Sequence, residues 1–222
     1  MTEGRAAPTP PSSAGGFGKT SIRQANEELI LAAAERVFAR AGYSGATMAE
    51  IAQEAALPKA NLHYYFGSKL ELYREVLART LKDWLVPTDF IRPEADPRAA
   101  LAAYIDAKMR MSAERADASR VFANELLHGA PVLGDLLRTE LRALVERKAE
   151  VIDGWIAAGR MARVDSKHLF FTIWAATQTY ADFDVQVRAV LGITATGPAA
   201  QSRASAAVRT LILRGCGLAE SE

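Results

Sequence analysis

The chain has 222 residues, with 27 Lys or Arg against 26 Asp or Glu, so its formal net charge of +1 is no argument for nucleic-acid binding. Half of the residues are hydrophobic, which suffices for a packed core, yet no apolar run of about 18 residues predicts a membrane span. The single cysteine, Cys216, excludes an intrachain disulfide and, with no signal peptide in view, we expect a cytoplasmic protein.

The first helix follows a segment without structural signals. Residues 1–22 are rich in Pro, Gly, Ser and Thr and contain no apolar stretch, which predicts a disordered leader. Apolar residues then recur at helical spacing, as at Ile30, Ala34 and Val37, and form one face of a helix. Gly42 is placed as its C-terminal stop.

Two short helices come next. Thr47 and Glu50 match the capping-box pattern, so a second helix should begin near Met48. Pro58 is acceptable at the start of a third helix, predicted over residues 59–65. The tight turn between the two helices predicts a helix-turn-helix, whose exposed second helix fits the major groove of DNA.

The rest of the sequence is helical as well. Ser68 and Glu71 form a second capping box and open a long fourth helix that reaches Trp84 and is closed by Pro87. Further helices are predicted at residues 98–113, 117–128, 131–158, 165–191 and 199–215. No useful strand-like alternation occurs, so the predicted fold class is all-α, with about nine helices.

The third helix carries side chains suited to DNA. Lys59 and Asn61 can reach base edges or phosphates, while His63 and Tyr64 offer hydrogen-bond donors on rigid rings. Lys69 comes at the start of the fourth helix, where free backbone N–H groups favour an anion. These residues predict a contact face for nucleic acid.

A structural interpretation of the same stretch remains open. Leu62 and Phe66 are spaced by four and would anchor the third helix on the first two. Tyr64, Tyr65 and Phe66 can equally be read as three aromatic residues of an ordinary helical core. The residues alone do not decide between the two interpretations.

The span "TMAEIAQEAALPKANLHYYFGSKLELYREVL" resembles the DNA-binding head of the TetR family of bacterial transcriptional repressors. The matching positions of the family pattern are Thr47, Ile51, Ala52, Leu62, Tyr65, Phe66, Ser68 and Lys69. Two departures are Ala56, where the family usually has the Gly of the turn, and His63, where it usually has a phosphate-contacting Tyr.

The resemblance implies a set of DNA contacts. Those to the backbone would come from Thr47, Lys59, Tyr64 and Lys69, and those to the bases from Ala60, Asn61 and His63. It also implies a homodimer on a palindromic double-stranded operator, released by a small-molecule effector. The expected organisation is a leader at residues 1–22, a helix-turn-helix domain at 23–67, and an effector-binding and dimerisation domain at 68–222.

The C-terminal half also carries a resemblance. "RVFANELLHGAPVL" and "FFTIWAATQTYADFDVQV" are similar to segments of repressors that respond to the pyrimidines uracil and thymine and that belong to a wider C-terminal subfamily. Other members of this C-terminal subfamily share both segments, so the effector does not follow from them alone. A lipophilic or cationic effector is the alternative.

The predicted helix over residues 165–191 indicates where an effector would bind. Trp174, Gln178 and Asp182 continue an aromatic stripe that begins at Phe170 or Phe171, and a buried amide and carboxylate need partners. The partners are either other side chains, a dimer contact or a planar heterocycle. Side-chain partners would be Arg120, Asn124 or His128. The candidate ligand-binding residues are Trp84, Asn124, Trp174, Gln178 and Asp182.

Nothing in the sequence predicts catalysis or a cofactor. With three His and no acid-rich cluster, we expect no metal site. Cys216 is far from any paired His and acid, and neither a phosphate-binding Gly-rich loop nor a nucleophile elbow occurs. A helical enzyme is therefore only a minor alternative to a regulator.

Overall fold

The computed structural model describes residues 16–218, and side chains from residue 22 onwards. Every regular element in that range is helical, which confirms the all-α prediction. The helices are α1 (Gly16–Gly45), α2 (Met48–Glu54), α3 (Lys59–Phe66), α4 (Lys69–Leu85), α5 (Pro97–Glu114), α6 (Ala116–Leu127), α7 (Gly134–Leu136), α8 (Arg142–Ala157), α9 (Ser166–Asp182), α10 (Asp184–Leu191) and α11 (Pro198–Gly215). None of the helices in the described range is both long and apolar enough to cross a membrane.

Both predicted capping boxes are present. The Thr47 hydroxyl accepts a hydrogen bond from the Glu50 amide at 3.2 Å, and the Glu50 carboxylate accepts one from the Thr47 amide at 2.9 Å. Ser68 and Glu71 repeat this arrangement at the start of α4. Each box satisfies amide donors that the first turn of a helix leaves free, so α2 and α4 begin where the sequence predicts.

Helix α1 differs from its prediction at both ends. It begins at Gly16, inside the range predicted as a leader, and residues 1–15 lie outside the described part of the chain. The predicted stop at Gly42 is a kink instead: its φ of 68° interrupts the helix, which resumes and ends at Gly45. Glycine accepts such a left-handed conformation without the Cβ clash that other residues suffer.

The turn between α2 and α3 forms without glycine. Ala56 has φ of 53°, and the following amide of Leu57 returns to the carbonyl of Ala52 at 3.0 Å. This closes α2 in the way that a C-terminal glycine normally does. Pro58 precedes α3 and gives it no side-chain cap. The alanine in this turn is strained, as its departure from the family's usual glycine implied.

Two predicted long helices are interrupted. The helix predicted over residues 165–191 is broken at Phe183, with φ −115° and ψ 31°, into α9 and α10. The helix predicted over residues 131–158 starts as the single turn α7 and passes through a π-helical turn, Leu137–Leu141, into α8. Neither Phe183 nor the π-helical turn Leu137–Leu141 contains Gly or Pro, so the hydrophobic spacing did not reveal these interruptions.

Two hydrophobic clusters divide the interior, and the first joins the two halves of the chain. It contains Ile30, Ile51 and Leu62 of the head and continues through Trp84 of α4 to Phe122 of α6. The second cluster is built by α5, α8, α9 and α11, with Tyr104, Trp155 and Phe170 fully buried at its centre. The head therefore shares its core with α4 and α6.

An ion-pair bridge reinforces this connection. Arg115, at the junction of α5 and α6, binds both Glu35 of α1 and Asp83 of α4. Burial raises the pKa of Glu35, while the Arg115 guanidinium opposes that rise. The junction is thus fixed to the same two helices that the first cluster joins.

The strained turn gives a direct test. We expect Ala56→Gly to raise the free energy of unfolding by about 0.5–1 kcal/mol, because Gly relieves the left-handed strain at an exposed position. Chemical denaturation measures the change. Ala49→Gly, at an exposed helical position of α2, is the matched control and should lower stability by a similar amount. Equal losses in both variants would contradict the assignment of strain to Ala56.

Candidate functional site

Helix α3 presents a face to solvent and buries the opposite one. Lys59, Ala60, His63 and Tyr64 are exposed, and Tyr64 retains 75% of its accessible surface, whereas Leu62 is fully buried. Lys59 and His63 are one turn apart, as are Ala60 and Tyr64, so the four exposed residues share one face. The interpretation of Tyr64 as a core aromatic is therefore wrong.

The other two aromatic residues of α3 support the head. Tyr65 is half-buried and its hydroxyl accepts a hydrogen bond from Asn26 of α1 at 3.1 Å. Phe66 is also half-buried and packs against the first cluster. Asn61 is partly buried, and the exposed Thr47 already uses its hydroxyl in the α2 cap. The freest side chains of the face are accordingly Lys59 and Tyr64.

His63 has an internal partner. Its Nδ1 lies 2.8 Å from the carbonyl oxygen of Gly67, which can only accept, so Nδ1 carries the proton. The ring is thereby held at the C-terminal end of α3, and Nε2 is the nitrogen left to bind a further group.

Lys69 lies in a position that the sequence did not reveal. Its Nζ donates to the carbonyl oxygens of Tyr43 at 2.8 Å and Ala46 at 2.9 Å, and it lies 4.5 Å from the centre of the Tyr43 ring. These carbonyls belong to the end of α1, where free acceptors attract a cation. Lys69 thus fastens the start of α4 to the end of α1, in addition to its predicted phosphate contact.

A group of polar residues, distinct from the two hydrophobic clusters, lies inside the C-terminal half, where α4, α5, α6 and α9 meet. Lys108 of α5 is only 2% exposed, and its ammonium lies 4.2 Å from the centre of the Trp84 ring. Within the described residues no carboxylate is close enough to form an ion pair with it. Burial lowers the pKa of Lys108 to about 7, and the charge of Asp182 partly opposes this.

Asp182 completes the cluster from α9. Its carboxylate accepts a hydrogen bond from the Ser119 hydroxyl of α6 at 2.6 Å. Burial raises the pKa of Asp182, against the Ser119 hydrogen bond and the charges of Arg120 and Lys108. Arg120 itself binds Asp117 and the carbonyl of Ala181, so it is not the direct partner that the sequence suggested.

The remaining predicted ligand residues are divided between surfaces. Gln178 is half-buried, one turn before Asp182 on the same helix. Trp174 donates its indole N–H to the buried Tyr104 hydroxyl at 2.7 Å and borders a groove beside α8. Asn124 is exposed, and its backbone carbonyl is bonded to the His128 ring at 2.7 Å, which confirms His128 as a helix-end residue.

A cavity of about 300 Å³ lies next to this cluster. It is bordered by Ser112, one turn beyond Lys108, and by Arg120, the neighbour of Ser119. The segment between α10 and α11 covers its outer side through Thr194 and Thr196. The residues that the structure describes contain no group of three His, Cys, Asp or Glu that could hold a metal ion.

Lys108 is the residue that sequence reasoning missed. It falls on the buried face of α5, in line with Leu101, Ile105 and Ser112 at helical spacing. A charged residue at a core position of an amphipathic helix is unusual and carries a cost in free energy. That irregularity in the hydrophobic pattern was the available signal.

Comparisons with known proteins agree along most of the chain. Residues 30–76 match the sequence profile described as "Bacterial regulatory proteins, tetR family", and residues 77–219 match that described as "YcdC-like protein, C-terminal region". The HTH-type transcriptional regulator RutR of Escherichia coli K12 is 44% identical over 170 residues, covering 77% of this chain and 80% of that protein. The HTH-type transcriptional activator FasR of Mycolicibacterium smegmatis is 39% identical over 79 residues, covering 35% and 36%.

Solved structures share the fold. A tetR-family regulatory protein from Rhodococcus RHA1 superposes with a TM-score of 0.69 at 20% identity, covering 88% of this chain and 98% of that one. The regulator SCO4942 from Streptomyces coelicolor gives 0.67 at 23% identity, covering 87% and 99%. The relatives found by sequence are transcriptional regulators, not enzymes.

The buried amine predicts a dependence of stability on pH. Between the folded pKa of about 7 and the ordinary value of 10.5, the unfolded chain binds a proton at Lys108 that the folded protein does not. Stability should therefore rise with pH from about 7 to 9, by at most about 1.4 kcal/mol per pH unit. Denaturation at several pH values measures this slope.

Lys108→Met should remove that contribution, while Lys82→Met, at an exposed position of α4, should leave the slope unchanged. The window ends near pH 9 because burial raises the pKa of Cys216 to about 11, and Tyr73 and Tyr104, whose pKa values are also raised, oppose the trend at still higher pH. A slope that survives Lys108→Met would contradict the assignment.

Proposed function

Because the chain belongs to the TetR family of bacterial transcriptional regulators, we propose that it is a repressor released from its operator by a small planar heterocycle. As a ligand-responsive regulator it needs one surface for DNA and one enclosed site for an effector. The proposal of an effector site rests on Lys108. This residue is buried beside Trp84, has no ion-pair partner among the described residues and lies close to Asp182.

The DNA surface of the proposal is the exposed side of α3 with its neighbours. Thr47, Lys59, Tyr64 and Lys69 contact phosphates, and Ala60, Asn61 and His63 face base edges. Exposure of Lys59 and Tyr64 supports the first set, and the free Nε2 of His63 supports a base contact. Such a regulator acts in the bacterial cytoplasm, where its operator lies.

The repressor acts as a homodimer in this proposal. Large apolar side chains are exposed on α10 and α11: Val185, Val190, Leu191 and Leu211 each keep more than half of their surface accessible. An exposed apolar face of this kind favours association with a second copy. Two heads would then reach half-sites about 34–36 Å apart, or a multiple of that spacing.

The effector site is the cluster around Lys108. A heterocyclic amide has a carbonyl oxygen that can accept from the Lys108 ammonium and an N–H that can donate to Asp182 or Gln178. Trp84 offers aromatic surface beside Lys108, while Trp174, which borders the groove beside α8, and the exposed Asn124 stay peripheral candidates. Uracil and thymine are the first compounds to test because the C-terminal half resembles pyrimidine-responsive repressors.

A cationic effector is disfavoured by the same cluster. Lys108 and Arg120 both place positive charge near Asp182, and their electrostatic effect on this carboxylate is already favourable. A positively charged ligand would have to displace or oppose both groups. A lipophilic effector would leave the buried polar groups without new partners.

Regulation then follows from linkage. An effector that binds more tightly to the conformation with the wrong head spacing lowers operator affinity, and the operator lowers effector affinity by the same factor. In this proposal α4 transmits the change, because Trp84 lies near its end and Lys69 at its start.

The DNA face can be tested by substitution. Lys59→Ala should weaken binding to all sequences and reduce the salt dependence by about one counterion, while Asn61→Ala should cost about 1–3 kcal/mol at its base pair only. Fluorescence anisotropy on an operator fragment, selected by the parent protein from genomic DNA, measures both. Neither substitution should change the melting temperature.

Lys69→Ala should differ, since it also removes the bonds to the end of α1 and should lower the melting temperature as well as DNA affinity. Lys82→Ala on the exposed side of α4 is the matched control and should change neither property. If Lys59→Ala and Asn61→Ala bind like the parent, the assigned contact face is wrong.

The effector site can be tested by thermal shift. At about 100 times its Kd, uracil or thymine should stabilise the parent by about 2.7 kcal/mol, a rise on the order of 5–10 °C in melting temperature. Asp182→Asn and Lys108→Met should each reduce the rise. Asp135→Asn, at a surface position, should keep it. If no pyrimidine shifts the parent, the effector assignment fails and the DNA assignment stands.

A further inference from the structure

Glu125 is a buried carboxylate that belongs to neither proposed binding surface. Its side chain is only 4% exposed. Oε1 accepts hydrogen bonds from the amides of Val132 at 2.6 Å and Leu133 at 3.0 Å, and Oε2 accepts one from the Tyr73 hydroxyl at 3.2 Å. The carboxylate therefore joins α6, the turn that follows it and α4 in one hydrogen-bonded unit.

The same helix reaches the effector cluster. Ser119, Phe122 and Glu125 are spaced by three along α6 and span about 9 Å. Ser119 donates to Asp182 at 2.6 Å, and the Phe122 ring lies 4.9 Å from that of Trp84. One side of α6 thus contacts the effector cluster at one end and Tyr73 at the other.

Tyr73 lies in the core of the DNA-binding head. Its ring centre is 4.9 Å from those of both Phe38 and Tyr43 in α1. The carbonyl of Tyr43 is one of the two acceptors of Lys69. A displacement of Tyr73 would consequently disturb the junction that holds α1 against α4, and with it the orientation of α2 and α3.

We propose that Glu125 is the positioning residue through which occupancy of the effector cluster reaches the DNA-binding head, by holding Tyr73 to α6. The inference rests on the proposed effector site. An effector that takes Asp182 as its partner competes with Ser119 and frees the first turns of α6. Because a buried carboxylate cannot lose its donors without a large cost, the Glu125 end of α6 and Tyr73 move together.

Tyr73→Phe tests this bond with a minimal change. It removes one hydroxyl and leaves the bonds of Glu125 to Val132 and Leu133 in place. Operator affinity is measured with and without uracil. The parent ratio of the two affinities should be at least about fivefold, as is typical of allosteric coupling, and should fall below about twofold in Tyr73→Phe. Operator affinity in the absence of uracil, and uracil affinity in the absence of operator, should each change little.

Tyr43→Phe is the matched control. Its ring lies in the same aromatic group, but among the described residues its hydroxyl has no hydrogen-bond partner. It should keep the parent ratio. A Tyr73→Phe protein with the parent ratio would overturn the proposal, as would an equal loss in both variants.

A second measurement needs neither effector nor DNA. Hydrogen exchange of residues 43–47 is compared in the parent, Ser119→Ala, Tyr73→Phe and the double variant. Ser119→Ala should accelerate exchange several-fold in the parent background and have no added effect in the Tyr73→Phe background, since coupled sites are not additive. Additive effects, or none from Ser119→Ala, would overturn the relay. If the parent does not respond to uracil but shows this non-additivity, only the proposed effector is ruled out and the relay stands.

Discussion

Helix α4 buries one face from its first turn to its last, and both halves of the protein depend on that face. Tyr73 near its start lies in the core of the head, and Trp84 near its end lies beside Lys108. A helix is stiff and a close-packed core does not deform continuously. The head shares the first hydrophobic cluster with α4 and α6, so a change beside Trp84, at the proposed effector site, can alter the packing of the head.

Two buried charges in this framework have opposite environments. Glu125 is satisfied by three donors, which makes it a fixed structural joint. Lys108 has an aromatic face and a carboxylate beyond ion-pair distance, and burial lowers its pKa to about 7 because the charge of Asp182 offsets the desolvation only in part. A protein retains an uncompensated buried cation at a cost in stability. That cost is intelligible if a ligand supplies the missing acceptor.

Local signals in the sequence predicted local structure well. The caps at Thr47 and Ser68 and the anchor Leu62 follow from rules that involve a few neighbouring residues, whereas the strain at Ala56 was expected from the family resemblance. Contacts between distant segments were not predictable in this way. The bonds of Lys69 to α1 and of Ser119 to Asp182 require the packing of helices that sequence spacing does not specify, and the break at Phe183 carries no Gly or Pro.

The two departures from the family pattern in the head have related consequences. Ala56 adopts the left-handed conformation at this turn, so the turn into α3 forms without the family's usual glycine. His63 is held by the carbonyl of Gly67, which fixes its tautomer and limits its ring to one free nitrogen. The free Nε2 of this ring can accept a hydrogen bond from a donor on a base edge, whereas the hydroxyl of a tyrosine can also donate one to a phosphate. The turn before α3 thus forms with a left-handed residue, while the side chain at position 63 differs in chemistry from the family's usual tyrosine.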